Sequence, residues 1–479
     1  MKIFFLALIF IILLAPNVKS DEKLAPLRSE NKDLMTFLKQ SRRKKIDQEF
    51  LKSVKLMIEN GADVNKYERG DSPFNEALNR RNVDLIKMMI EADAIITEDH
   101  LCKWNLRSDP EIMNLFLSHG APLNPKKCNL FFADRDFNFK VAKILLDKGA
   151  SIPPIDQATG DSFVHHIVRH GRGAKKEEFI QFLDYLISKK IDIALKNKWG
   201  QTPLFYFAVG YTTDDNGYTS DPYRIEGPIS KNDFRDGEGD EDFKSYYLIS
   251  KYTAEQLNQV DEFGNSALHA LASIPIGHKS STSYHLYSCP LELMKIYKAQ
   301  GGKVGLVNKL GNSPLHICKG YFNLADLSEI LKLFSKEELN LQNLEGNSAL
   351  HSWVQNACPS FDSTHKIGEN LIQTVFDAGM KIDLINHLGQ TPLFLATTAS
   401  CYIEPMLKLL TTKAINHQDK KGDTALHFQL SRIMEYRPEI AKMFIDHGAR
   451  KDIKNKLNLL PYDLVKDAKN KTKFDFLKP

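Results

Sequence analysis

The sequence predicts an all-α fold, a solenoid of stacked helix-turn-helix units that carry short β-hairpin-like fingers. Three observations predict it. A short phrase opening on glycine returns along most of the 479 residues. A second phrase, apolar at helical spacing and stopped by glycine, returns between copies of the first. Neither unit is long enough to bury a core alone, so each has to lean on its neighbours.

The first element is a leader. Met1-Lys2 gives a positive start, Ile3 to Ala15 is apolar, and Val18 and Ser20 are small residues before a cut preceding Asp21. That is the three-part pattern of an export signal over residues 1–20. The apolar run is shorter than the about 20 residues of a membrane-spanning helix. An uncut N-terminal anchor is the alternative. No later stretch is long and apolar enough to span a bilayer.

Residues 21–48 are expected to form an N-terminal helical cap, and 49–458 the array. It would hold about 10–11 units, with insertions near 210–243, 274–289 and 357–366. Residues 459–479, rich in lysine, should close it with a polar helix. The basic run Arg42-Arg43-Lys44-Lys45 fits a solvated helix face.

The first phrase reads GDSPF at Gly70, GDSFVH at Gly160, GQTPLF at Gly200, GNSALH at Gly264 and GNSPLH at Gly311. It continues as GNSALH at Gly346, GQTPLF at Gly389 and GDTALH at Gly422, with degenerate echoes from Lys126 and Leu457. Glycine supplies the positive φ of a tight turn. Ser or Thr two residues on caps the first helix, and proline suits the next position. The leucine faces the seam between units. His165, His269, His316, His351 and His427 can hydrogen-bond to the next unit. Phe205 and Phe394 take that place in the two GQTPLF copies and lose the polar link.

The second phrase reads LMIENGADVN from Leu56, LFLSHGAPLN from Leu115, ILLDKGASIP from Ile144 and MFIDHGARKD from Met443. Its glycine is a helix stop. The alternation of the two phrases resembles the ankyrin repeat, with its period of about 33 residues and its T-P-L-H-x-A signature. The resemblance covers roughly residues 34 to 477. It implies helix pairs with outward fingers and a protein that works by binding other proteins.

Candidate chemistry is thin. His165, His166 and His170 contain an i, i+4 pair, but no carboxylate or cysteine stands at ligand spacing. Asp214-Asp215-Asn216-Gly217 is part of a calcium-loop pattern whose end positions, Thr212 and Tyr223, cannot serve. Asp236, Glu238, Asp240 and Asp242 could form a looser cation site. No nucleophile or nucleotide motif stands out. Six cysteines lack zinc spacing. Most are expected to fill the core, with Cys102–Cys128 the first pair to test.

The residue before the turn glycine should lie at the finger tip. It is Trp199, Phe263, Leu310 and Leu388, with Leu457 before Asn458 and Leu344 one position earlier in its finger. Exposed in series, these residues would form a partner-binding stripe. The alternative is that each leans on the next finger. The charge is near neutral, +4 overall, which does not advertise nucleic acid as a partner. The expected function is an exported protein-interaction scaffold, secreted or periplasmic, monomeric and without cofactor. The Lys/Asn/Ile-rich composition suits a bacterial effector or adaptor. The alternatives are an enzyme or metal-dependent module on the 210–243 insertion and an anchored envelope protein.

Overall fold

The computed structural model describes residues 33–67, 71–102, 109–123, 138–152, 159–170, 175–209, 240–272, 276–279, 284–287, 290–318, 324–355, 366–397, 402–431, 437–465 and 471–478. The leader, Gly70, most of the 210–243 insertion and the 357–365 part of the third insertion lie outside them. The described fold is helix-rich and divides into two compact units, residues 1–151 and 152–479.

The first unit packs helix Leu34–Gln40 on Gln48–Glu59 and Pro73–Arg80 on Val83–Glu91, and continues with Glu98–Cys102, Pro110–Ser118 and Phe139–Asp147, the last two packed together. Short side-chain caps start most of them. Asp47 accepts from Phe50 N, Ser72 from Asn75 N and Asn82 from Leu85 N, each satisfying an amide that the helix leaves unpaired. The run from Arg42 to Lys45 is a turn and not a helix face. Its residues are exposed, as expected, and Arg42 also makes a specific contact: its Nε donates to Oε1 of Glu76 at 2.8 Å. Glu76 is buried on the inner side of its helix, and the Arg42 guanidinium holds its carboxyl below the usual range. A buried carboxylate needs such a partner.

In the second unit the GxS/T phrases begin the first helix of each pair. These run Phe163–His170, Pro203–Phe205 continued by Tyr206–Val209, Ala267–Ala272, Pro314–Ile317, Ala349–Gln355, Pro392–Ala396 and Ala425–Ser431. Each packs against the next. The longer partners Lys176–Ser188, Asp240–Lys251, Leu291–Ala299, Leu324–Leu331 and Lys366–Asp377 form a second row, and the last of them also packs on Ile403–Leu409. Core side chains such as Leu268, Leu315, Leu350 and Leu393 are fully buried in the seam, as the phrase predicts.

The histidines do more than predicted. In four copies a serine precedes the histidine by three residues, and in the fifth it is Thr424. The backbone N–H of Ser348 donates to Nδ1 of His351 at 3.0 Å. An N–H can only donate, so Nδ1 is the acceptor and Nε2 carries the proton. Nε2 then donates across the seam to the carbonyl of Gln390 at 3.1 Å. The same relay joins Ser162–His165–Gln201, Ser266–His269–Asn312, Ser313–His316–Asn347 and Thr424–His427–Leu459. Histidine thus replaces the glutamate of a capping box and ties two units together.

Neither phrase includes Asn258, Asn340 and Asn416. Each follows a one-turn helix, Ala254–Leu257, Lys336–Leu339 or Thr412–Ile415, that starts on a capping Thr or Ser. The Asn340 side chain accepts from Lys381 N at 2.7 Å and donates to the Gly379 carbonyl at 3.1 Å. Asn258 clamps Lys303 and Gly301 in the same way, and Asn416 clamps Arg450 and Gly448. Units ending in this Asn alternate with units ending in the glycine it holds.

Two features depart from expectation. The 274–289 insertion contains an antiparallel hairpin of β1, Ile276–Lys279, and β2, Tyr284–Tyr287, with Ile276 opposite Tyr287. Its aromatic-rich second strand follows a Ser/Thr-rich stretch, a strand-turn signal inside an otherwise helical pattern. The closing segment is not one helix but two 3-10 pieces, Pro461–Leu464 and Lys471–Leu477. The second is kinked at Phe474, which is buried with Leu477. Cys102 and Cys318 are both disulfide-bonded, so Cys318 is not the unpaired core filler expected. The other four cysteines, Cys128 among them, lie outside the described residues.

Candidate interaction surface

Each finger is a short loop closed on one buried or half-buried amide or carboxylate. In the 385–388 finger, Oδ1 of Asn386 accepts from the backbone of Leu388 and of Gln390, both at 2.9 Å. Asn308, Asn343 and Asn455 hold their loops the same way, and so do Asp261 and Asp419. The turn glycine comes next with φ between 75° and 81° at Gly264, Gly311, Gly346, Gly389 and Gly422.

The fingers are also bonded to one another. Glu262 N donates to the Trp199 carbonyl at 2.8 Å, Lys309 N to Phe263 at 2.9 Å, and Leu344 N to Leu310 at 2.9 Å. His387 N to Glu345, Lys420 N to Leu388 and Lys456 N to Lys421 continue the file. This closeness explains the glycines further. A Cβ on Gly346 would lie 2.7 Å from His387 N, and one on Gly422 2.7 Å from Lys456 N. The tips therefore sit on a braced backbone, and ordering them for a ligand costs little entropy.

The tips differ in exposure. Leu310 is 62% exposed, Leu344 66%, Leu388 61% and Leu457 76%, with Phe263 at 42%. Trp199 is half-buried, with the Lys198 ammonium 4.6 Å from the centre of its ring. Val260, Val307 and Ile385, three residues before the tips of their fingers, are exposed as well. These three were not among the expected stripe residues. Their signal is the phrase V-D-E-F-G, V-N-K-L-G and I-N-H-L-G, in which two apolar residues flank the loop-closing Asn or Asp. Single exposed leucines are ordinary; a file of them is not.

Of the three histidine candidates, His165 is taken up by the relay. His165 is buried, and its desolvation lowers its pKa to about 4. His269 and His351 fall to about 4 for the same reason. Among the described residues no group of three His, Cys, Asp or Glu side chains could hold a metal, and no helix is long and apolar enough to cross a membrane. Asp214 to Gly217, Asp236 and Glu238 lie outside the described residues. No protein-family model matches the chain, and no curated protein is significantly similar to it.

Proposed function

We propose that this chain is an exported ankyrin-type repeat protein that binds partner proteins through its fingers and has no catalytic centre of its own. The observation that carries this is the position of its exposed apolar side chains. Among the described residues beyond 151, most large apolar side chains left in solvent stand in the four residues before a turn, on loops braced by backbone bonds. Folding alone gives no reason to leave leucine in water there. The ankyrin reading is supported by the recurrence of turn, cap, leucine and cross-unit histidine in one order. Export is supported by the leader pattern and by the disulfide-bonded Cys102 and Cys318, since disulfides persist in oxidising compartments.

The test is partner capture by the purified chain from the cells or medium in which it acts, compared with a Leu310→Asp/Leu388→Asp variant. Capture should fall while the far-ultraviolet helix signal stays constant. Equal capture by both proteins would end the finger reading. Mass spectrometry should find the mature N-terminus at Asp21.

A further inference from the structure

Resting on that reading, we infer that the finger file takes an extended protein segment in which acidic residues are flanked by apolar ones. Three observations lead there. The first is width. Each finger hands one backbone bond to the next, from Trp199 to Lys456, so the tips stand in single file. A row one side chain wide matches an extended chain, which presents a side chain to the same face at every second residue.

The second is charge. The finger lysines Lys198, Lys309, Lys420, Lys421 and Lys456 are exposed, whereas the exposed finger acids are Glu262 and Glu345. Lys309, Lys420, Lys421 and Lys456 form no ion pair among the described residues. Asp261 and Asp419 are buried in their loops and do not face a ligand. Positive charge with no internal partner is complementary to acidic side chains.

The third is the order of tips. The 418–421 finger, Gln-Asp-Lys-Lys, has no apolar tip and two lysines. On either side stand Leu388 and Leu457, both more than half exposed. The matching segment therefore carries its acids over Lys420 and Lys421 and apolar residues on both flanks. A uniformly anionic surface fits less well. Glu262 and Glu345 interrupt the file and would repel a phosphate backbone or an anionic bilayer, and the more exposed tips are leucines, which do not stack on bases.

The experiment pans random linear peptides of about 16 residues, long enough to cross several fingers, on the full chain. Selected peptides are then measured against two variants whose fold is checked by circular dichroism melting. One is Lys309→Glu/Lys420→Glu/Lys421→Glu/Lys456→Glu; the other is Leu310→Asp/Leu388→Asp. The inference expects acidic, leucine- or phenylalanine-bearing peptides that bind each variant at least about tenfold more weakly. Peptides without acidic excess, lost on the leucine variant but kept on the lysine variant, would overturn the acidic partner and leave the finger reading standing. Peptides indifferent to both variants would overturn the finger reading itself. If no peptide is enriched, the extended segment is wrong. If phosphatidylserine vesicles or oligothymidylate bind instead and are lost on the lysine variant, the ligand is an anionic membrane or a nucleic acid.

Discussion

Asn455 donates from its side-chain amide to Oδ1 of Asp423, 2.7 Å away and 32 residues earlier in the chain. It is one rung of a second ladder beside the histidine relay. Asn308 donates to Asn265, Asn343 to Asn312 and Asn386 to Asn347, all at 2.8–2.9 Å. At Asp419 the finger residue has no donor, and the polarity reverses: Gln390 of the preceding unit donates to it at 3.4 Å. The other GQTPLF copy sets the same pair of residue types, Gln201 and Asp261, at the equivalent places. Where the receiving unit offers an acid, the giving unit offers an amide.

The rung at Asn455 makes a pH-dependent prediction. Asn455→Asp sets two carboxylates together, and one must take up a proton or the pair must separate. Stability at pH 7 should fall by roughly 1–3 kcal/mol. The loss should shrink as the pH is lowered towards 4, since the folded state then holds the extra proton. Urea unfolding at pH 7 and pH 4.5, referred to the parent at each pH, checks this. Asn455→Ala should show no such recovery.

Two glycines with left-handed φ should respond differently to alanine. Gly379, at φ 91°, ends a second helix, and an added Cβ would meet only Lys336 carbons at 3.8 Å. Gly379→Ala should cost about 1 kcal/mol, the strain of φ alone. Gly346→Ala carries that strain and also drives the Cβ into the next finger's backbone, so it should lower the melting temperature clearly more. Equal shifts would mean the finger backbones are not braced as described.

Thr391 heads a GQTPLF copy, and its Oγ1 is buried without a hydrogen-bond partner among the described residues. Phe394 stands where histidine would receive it. Thr391→Val should therefore be neutral or raise stability by up to about 1 kcal/mol. Ser348→Ala, which strips the hydroxyl 2.9 Å from His351 Nδ1, should lower stability. Thermal melts of the pair give opposite signs if the relay is real.

The relay also sets acid sensitivity. Burial lowers His165, His269 and His351 to about 4, and it lowers His316 and His427 as well. The unfolded chain, with histidines near 6.5, binds more protons below that pH. Their contribution is therefore full above about pH 6.5 and is lost as the pH falls from there to about 4. Each of the three most shifted imidazoles puts roughly 3 kcal/mol at stake across that window. The urea midpoint should drop steeply over it, and His351→Gln should flatten the slope while lowering stability at pH 7.5.

Much of this was legible in the residues. Turn glycines, caps and buried leucines obey rules that span a few positions, and they repeat too often to be chance. Positions 310, 344, 388 and 457 could be placed on fingers from the phrase alone, because Gly or Asn at a fixed offset forces the turn. Exposure was harder. Whether Trp199 or Leu388 is covered depends on side-chain packing in the folded chain: Lys198 of the same finger lies over the tryptophan ring, while Leu388 is left open.

The sequence by itself determined the local units: which residues turn, which cap, and which face inward, because those outcomes are decided within about one helical turn. Tertiary structure alone decided which unit's acceptor meets which unit's donor. His351 reaches Gln390 across 39 residues and His269 reaches Asn312 across 43. Insertions of different length change the separation along the chain while the contact in space stays the same. Pairings of that kind come from the stacking of whole units, which no short stretch of sequence contains.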